Sequence, residues 1–238
     1  MRLAAAATLL ALLSSPAWAQ ERTQFVLAIS WQPAFCETRP DKPECESQTE
    51  DRFDAGNFAL HGLWPQPRSR DYCGVDEATV RADQNGDWHE LPEPELTAEL
   101  RADLQVAMPG TQSGLERHEW IKHGTCYDGD AETYFADSLD MLAAINDSAV
   151  AQLFASAIGQ RLTQAEIRAA FDTAFGQGAG ERVRVSCADD GDRRLITELT
   201  IGLTGEINGA ESIADRLMDA RPTEGGCDGG VVDKVGLQ

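Results

Sequence analysis

The sequence predicts an α+β fold: an antiparallel β-sheet packed with several helices in a single, disulfide-bonded domain. Three observations predict it. Strand-like and helix-like runs are mixed without the regular βαβ alternation of a parallel sheet. The runs "ERVRVSCA" and "RRLITELTIGL" are joined by "DDGD", a hairpin-turn composition. The cysteines, Cys36, Cys45, Cys73, Cys126, Cys187 and Cys227, are even in number, which in an exported chain suggests three disulfides.

The elements follow in order. Residues 1–19 read as a cleaved signal peptide. Arg2 precedes the short apolar run "LAAAATLLALL", and Ala17-Trp18-Ala19 gives a small-x-small cleavage site. The domain is then 20–238, and no other stretch is long and apolar enough to span a membrane. "QFVLAISW" alternates, with Phe25, Leu27, Ile29 and Trp31 on one face of a half-buried strand. Residues 32–56, rich in Pro, Cys and charge, read as a tied-down loop in which neighbouring Cys36 and Cys45 are expected to pair. "NFALHGLWP" begins as a strand and ends at Gly62 and Pro65, which places His61 at the strand end. Residues 66–93 read as loop, with a turn at Asn85-Gly86. "PELTAELRADLQVAM" is helical, with Pro94 in the first turn, and Pro109-Gly110 stops it. Residues 131–145 put Phe135, Leu139, Leu142 and Ile145 on one helical face. "LTQAEIRAAFDTAF" opens with the Thr163/Glu166 spacing of a capping box.

The densest chemistry lies in "HEWIKHGTC", His118 to Cys126. If Arg117–Gly124 is helical, Glu119 and His123 share one face, and His118 and Lys122 the neighbouring one. Zincins put their histidine ligands four apart. His118 and His123 are five apart and would diverge by about 140° on a helix, so a metalloprotease is excluded. No CxxC spacing supports a zinc cluster, and "DQNGD" has its Gly in the wrong place for an EF-hand loop. His61, in "HGLWPQ", is the partner histidine. Two imidazoles flanking one centre can act as base and acid. Lys122 suits charge building up on phosphoryl oxygens, and Trp64 and Tyr72 can stack on bases. That constellation fits cleavage of RNA through its own 2′-hydroxyl. His89 reads as a merely exposed residue, and Trp120 as core.

"FALHGLWPQ" and "HEWIKHGTC" resemble the two catalytic segments of the ribonuclease T(2) family, and "MPGTQSGLERHEWIKHGTC" is similar to its bacterial, ribonuclease I-type members. The resemblance implies roles. His61 matches the general acid, His123 the base, and Glu119 the carboxylate beside it. Lys122 matches the lysine that stabilises the phosphorane, and His118 a histidine that holds the phosphate. Trp64 and Tyr72 match base-stacking aromatics. Gln66 stands where many relatives carry Asp or Asn, a position that helps to choose the base. Cys73 and Cys126 match one family disulfide, and Cys187 and Cys227 another.

The chain is thus expected to be a secreted, metal-independent endoribonuclease with broad base preference and no cofactor. It would cleave single-stranded RNA through 2′,3′-cyclic phosphates to 3′-phosphates. DNA is not expected to be cleaved, nor a membrane bound once the leader is gone. A monomer in the bacterial periplasm, or in the medium, is expected. The alternative is an RNA-binding or partner-binding module on the same fold with secondary nuclease activity. Charge sets a problem for either. With 40 Asp and Glu against 20 Lys and Arg, the net charge is −20, which repels a polyanion at long range. Attraction must be local, and Arg117, His118, Lys122, His123, Arg68 and Arg70 are the expected source. The acidic surroundings are expected to raise the histidine pKa values.

Overall fold

The computed structural model describes residues 23–205, 207 and 212–238; the leader expected at 1–19 lies outside the described residues. Strand β1 (Phe25–Ser30) is followed by α1 (Gln32–Thr38) and α2 (Pro43–Glu46), then β2 (Ala59–Pro65). Next come α3 (Glu77–Asn85), α4 (Ala98–Ala107), α5 (Leu115–Lys122), α6 (Ala131–Asn146) and α7 (Ala149–Ser156). The C-terminal part holds β3 (Arg161–Thr163), α8 (Gln164–Phe175), β4 (Val183–Asp190), β5 (Arg193–Leu203), α9 (Ile213–Asp219) and β6 (Gly229–Val231).

One sheet runs β2-β1-β5-β6-β3, with β4 also on β5. Its pairs are antiparallel except for β5 and β6, which meet in parallel at Leu195 and Val231. β1 lies between β2 and β5, and Leu27, Ala28 and Ile29 are all fully buried. Leu27 and Ile29 lie on the face expected to be buried, while on the other face Ala28 is buried but Val26 and Ser30 stay partly exposed, Ser30 on the wall of a cleft. Tyr134 of α6 is buried and donates its hydroxyl to the Leu63 carbonyl at 2.9 Å, which fixes β2 against that helix.

Two irregularities shape the sheet near its open end. Ile29 pairs with Leu60 and Ala28 with Gly62, so His61 is skipped on β2. Ser186 pairs with Glu198 and Cys187 with Ile196, so Thr197 is skipped on β5. An extra residue in one strand bends it and re-aims its side chain.

Other boundaries differ from expectation for identifiable reasons. The helix expected from Pro94 starts at Ala98, because the Thr97 hydroxyl accepts from the Leu100 N–H and caps it. The two expected loops contain α1, α2 and α3. In α3 the Asp76 carboxylate accepts from the Ala78 and Thr79 N–H groups, and Gly86, at φ 85°, is its C-cap; Asn85-Gly86 ends a helix rather than making a free turn. The capping box at Thr163 and Glu166 is present. Disulfides join Cys36 to Cys45, Cys73 to Cys126 and Cys187 to Cys227.

Candidate active site

The site forms where β2 meets α5. Gly62 lies under the Glu119 side chain, and a Cβ there would overlap Glu119 Oε2 and sit 2.8 Å from Trp64 Nε1. Only glycine lets helix and strand approach this closely. In the space it leaves, the Trp64 indole N–H donates to Glu119 Oε2 at 2.9 Å. Glu119 Oε1 lies 3.7 Å from His61 Nε2 and 4.0 Å from His118 Nε2. Glu119 is 1% exposed. Its burial pushes the carboxyl pKa up, against the pull of His61, His118 and the Trp64 hydrogen bond.

α5 ends at Lys122, and His123 is its C-cap with φ −113°. His123 leaves the regular spiral, so the wide divergence from His118 expected on a helix is not observed; the two rings lie 6.3 Å apart edge to face. Ligand atoms of His118, Glu119 and His123 all come within 4.8 Å of one another, a spacing that could hold a metal ion. Glu119 Oε2 and His118 Nδ1 already have protein partners in Trp64 and Asp83. The Trp64 ring stands between the acid-base candidates, 5.2 Å from His61 and 5.5 Å from His123.

Each of these three histidines faces a carboxylate that sequence reasoning missed. His61 Nδ1 is 2.6 Å from Glu198 Oε2 of β5. His118 Nδ1 is 2.6 Å from Asp83 Oδ1 of α3, and its ring stacks on Trp88 at 4.5 Å. His123 Nδ1 is 3.4 Å from Asp71 Oδ1 and makes no hydrogen bond. Neither catalytic segment contains these acids, since each comes from a different part of the chain, and Asp83 was met only in "DQNGD", weighed and set aside as a calcium loop. Asp83 belongs to a helix read as loop, and Glu198 is one alternating residue in a long strand.

The environments push His61 and His123 in opposite directions. Burial lowers the His123 pKa most, and the charges of Lys122, His118 and His61 add to it, bringing it to about 3. For His61 burial also disfavours charge, but the Glu198 hydrogen bond and the Glu119 and Glu198 charges outweigh it and raise the pKa. The expectation that acidic surroundings raise every histidine thus fails for His123, which is buried (8% exposed) beside cations.

The remaining candidates divide. Lys122, Trp64, Gln66 and His123 line one cleft of about 260 Å³, with Arg68 and Asp71. A second cleft of about 330 Å³ opens on the His61 side, with Trp88, Arg39, Lys42 and Glu198 on its walls. Tyr72 is half-buried at φ 56° and donates its hydroxyl to Asp83 Oδ2 at 2.7 Å. Burial and Asp83 raise its pKa. Arg117 is not a substrate-facing cation: it holds the His89 and Leu91 carbonyls and Glu93. Arg39 and Lys42, both missed, line the cleft instead. His89 is exposed, and Trp120 packs on Tyr134 at 5.9 Å.

Comparison with known proteins places the chain in a group. The Ribonuclease T2 family model matches residues 22–214. Ribonuclease I of Escherichia coli (strain K12) is 31% identical over 235 residues, covering 90% of this chain and 87% of that protein. Ribonuclease T2-A of Mus musculus is 28% identical over 155 residues, 59% of this chain and 50% of its own. Among solved structures, Japanese pear S3-RNase superposes with a TM-score of 0.54 at 18% identity, covering 89% of this chain and 98% of that one. RNase NT in complex with 5′-AMP gives 0.52 at 18% identity, over 91% and 98%; these two show the fold alone. With a family model spanning most of the described residues and a ribonuclease matched nearly end to end, the chain belongs to the ribonuclease T2 family and is an endoribonuclease.

Proposed function

We propose that the protein cleaves single-stranded RNA by transesterification through the 2′-hydroxyl, without a metal, and then hydrolyses the cyclic product. The reading is carried by the opposed settings of His61 and His123. Groups whose surroundings push their pKa values apart divide into acid and base. His123, held neutral, takes the 2′-OH proton as the oxygen attacks phosphorus. His61, whose charged form the Glu198 hydrogen bond and Glu119 favour, gives its Nε2 proton to the departing 5′-oxygen as the P–O bond breaks. The product is a 2′,3′-cyclic phosphate. In the second step the roles reverse, and water opens the ring to a 3′-phosphate.

Lys122 supplies positive charge to the phosphoryl oxygens, His118 helps to hold the phosphate, and Glu119 orients the cluster from below. Trp64, Gln66 and Tyr72 surround the base. Gln66 carries an amide, which can both donate and accept, and this supports broad base preference. Tyr72 acts through Asp83 as much as through its ring. Three disulfides and the leader-like 1–19 support export, to periplasm or medium. Among the described residues no helix is long and apolar enough to cross a membrane.

The test is cleavage of an RNA carrying one 2′-deoxy residue, with and without EDTA. The site after the deoxy residue should resist cutting, EDTA should change nothing, and all-DNA should survive. Unchanged cleavage at the deoxy site, abolished by EDTA, would replace this scheme with metal-activated water on the His118, Glu119 and His123 cluster. N-terminal sequencing of exported protein should begin at Gln20.

A further inference from the structure

His61 and Glu198 stand on strands separated by β1, yet their side chains meet. Adjacent strands lie about 4.8 Å apart, so the pair bridges about twice that distance. Three features of the sheet allow it. His61 is the residue skipped in the β1–β2 ladder, and Thr197, just before Glu198, is the one skipped between β4 and β5. Each bulge turns a side chain off the regular pleat. Between them Ser30, the register partner of both Ala59 and Glu198, is small enough to leave the path open. Glu198 is moreover paired on both sides, with Ser30 and with Ser186, so its backbone is pinned. The result is a contact of 2.6 Å between Glu198 Oε2 and His61 Nδ1, on the wall of the larger cleft.

We propose that Glu198 is a positioning residue that fixes His61 as a proton donor through Nε2. The inference rests on the acid role assigned to His61 above. A carboxylate on Nδ1 holds a proton there in both charge states of the ring. The proton that moves is then always the one on Nε2, 3.7 Å from Glu119 Oε1 on the inner side of the site. In the first step Nε2–H passes to the 5′-oxygen as its bond to phosphorus breaks, leaving a neutral ring with hydrogen on Nδ1. In the second step the bare Nε2 accepts a proton from water. Neither step transfers a proton to Glu198; a carboxylate orienting a catalytic imidazole acts in the same way elsewhere. The charged groups facing His61 are Glu198 from β5 and Glu119 and Lys122 from α5. Of these, Glu198 alone touches Nδ1, and its hydrogen bond is the largest influence favouring the charged ring.

The experiment compares two substrates in wild type, Glu198→Gln and His61→Ala. One is a dinucleotide, whose 5′-alkoxide leaves only with a proton. The other is a uridine 3′-(4-nitrophenyl phosphate), whose phenolate leaves without one. Glu198→Gln should lower the alkaline limb of kcat/KM on the dinucleotide by roughly one pH unit and slow it above that pH by about tenfold. The nitrophenyl ester should be cleaved nearly as fast as by wild type. An NMR titration of the His61 ring should show the same fall, and Glu198→Asp should restore part of it. Equal losses on both substrates with an unmoved limb, or no loss on either, would overturn the proposal. Should Glu198→Gln fail to fold, Glu198→Asp carries the same comparison, with an unmoved limb and equal losses again counting against it. His61→Ala separates this from failure of the underlying reading: if it slows both substrates alike, His61 is not the acid.

Discussion

The indole N–H of Trp64 and the Oε2 of Glu119 form a 2.9 Å hydrogen bond inside the site, across the gap above Gly62. A residue expected to stack on a base is thereby also a fixed donor to a carboxylate that is 1% exposed. The two uses can be separated, because phenylalanine stacks but has no N–H.

Trp64→Phe should therefore destabilise the fold by about 1–3 kcal/mol, the usual effect of stranding a buried polar group. It should lower kcat more than it raises KM. A urea melt and steady-state kinetics on a dinucleotide check both. Near-wild-type values in each would reduce Trp64 to a stacking surface.

Gly62→Ala should be worse than Trp64→Phe, because its Cβ overlaps the Glu119 carboxylate. The strain is local. Combined with Glu119→Ala, which removes the closer of its two obstacles and leaves only Trp64 Nε1, Gly62→Ala should cost much less stability than alone. A double-mutant cycle on urea midpoints reads that coupling.

The pH profile follows from the two histidines. The base must be neutral, so kcat/KM should rise with pH through about 3, the His123 value. The acid must be charged, so activity should fall only above the raised His61 pKa, on the alkaline side of its ordinary value near 6.5. A broad plateau between these limbs is expected, wider than for two unperturbed histidines. A folded His61→Ala or His123→Ala protein should lose roughly two to four orders of magnitude in rate. A narrow peak near neutral pH would contradict the opposed settings.

Arg117→Ala should lower the melting temperature while leaving the salt dependence of RNA cleavage unchanged, because its guanidinium ties down the loop from His89 to Glu93. Arg39→Ala and Lys42→Ala, on the cleft wall, should do the reverse and flatten the salt slope.

Removal of the Cys73–Cys126 bond tests how the cleft lined by Asp71, Lys122 and His123 is held. Its cysteines are separated by 53 residues, and a cross-link of that span is worth roughly 4 kcal/mol in the chain-entropy model. Tyr72 N–H also donates to the Lys122 carbonyl at 2.9 Å beside it. A Cys73→Ala/Cys126→Ala protein should unfold at lower urea and show a raised KM, since the loop carrying Asp71 and Tyr72 then rests on that one backbone bond and the Asp83 contact.

What could be read from the chain alone depended on the range of the cause. The Thr163 capping box, the Phe135 and Leu142 face of α6 and the β4–β5 hairpin are local patterns, and they formed as expected. α3 was missed because its sequence is polar and its only buried residue is Asp83. The same acid then proved to be the partner of both His118 and Tyr72. Periodicity cannot report such a residue, since its burial is compensated by partners 35 and 11 positions away. Glu119 and His123 stood out by their spacing, and His61 by a segment that resembles a family motif. Glu198 and Asp71 did not, because only the folded sheet and loop bring them to the imidazoles. Arg117 misled for the same reason: charge is visible in sequence, but the carbonyls that consume it are not.

The skipped position of His61 in the β2 ladder has a consequence for heredity. His61 has no register partner in the β1–β2 ladder, so the backbone pairing places no demand on its identity. If His61 is the acid proposed above, a single codon change there would silence the chemistry while the ladder and the core stayed in place. Cleft and reaction are thus separable traits, and a descendant could keep its grip on RNA long after it had lost the ability to cut.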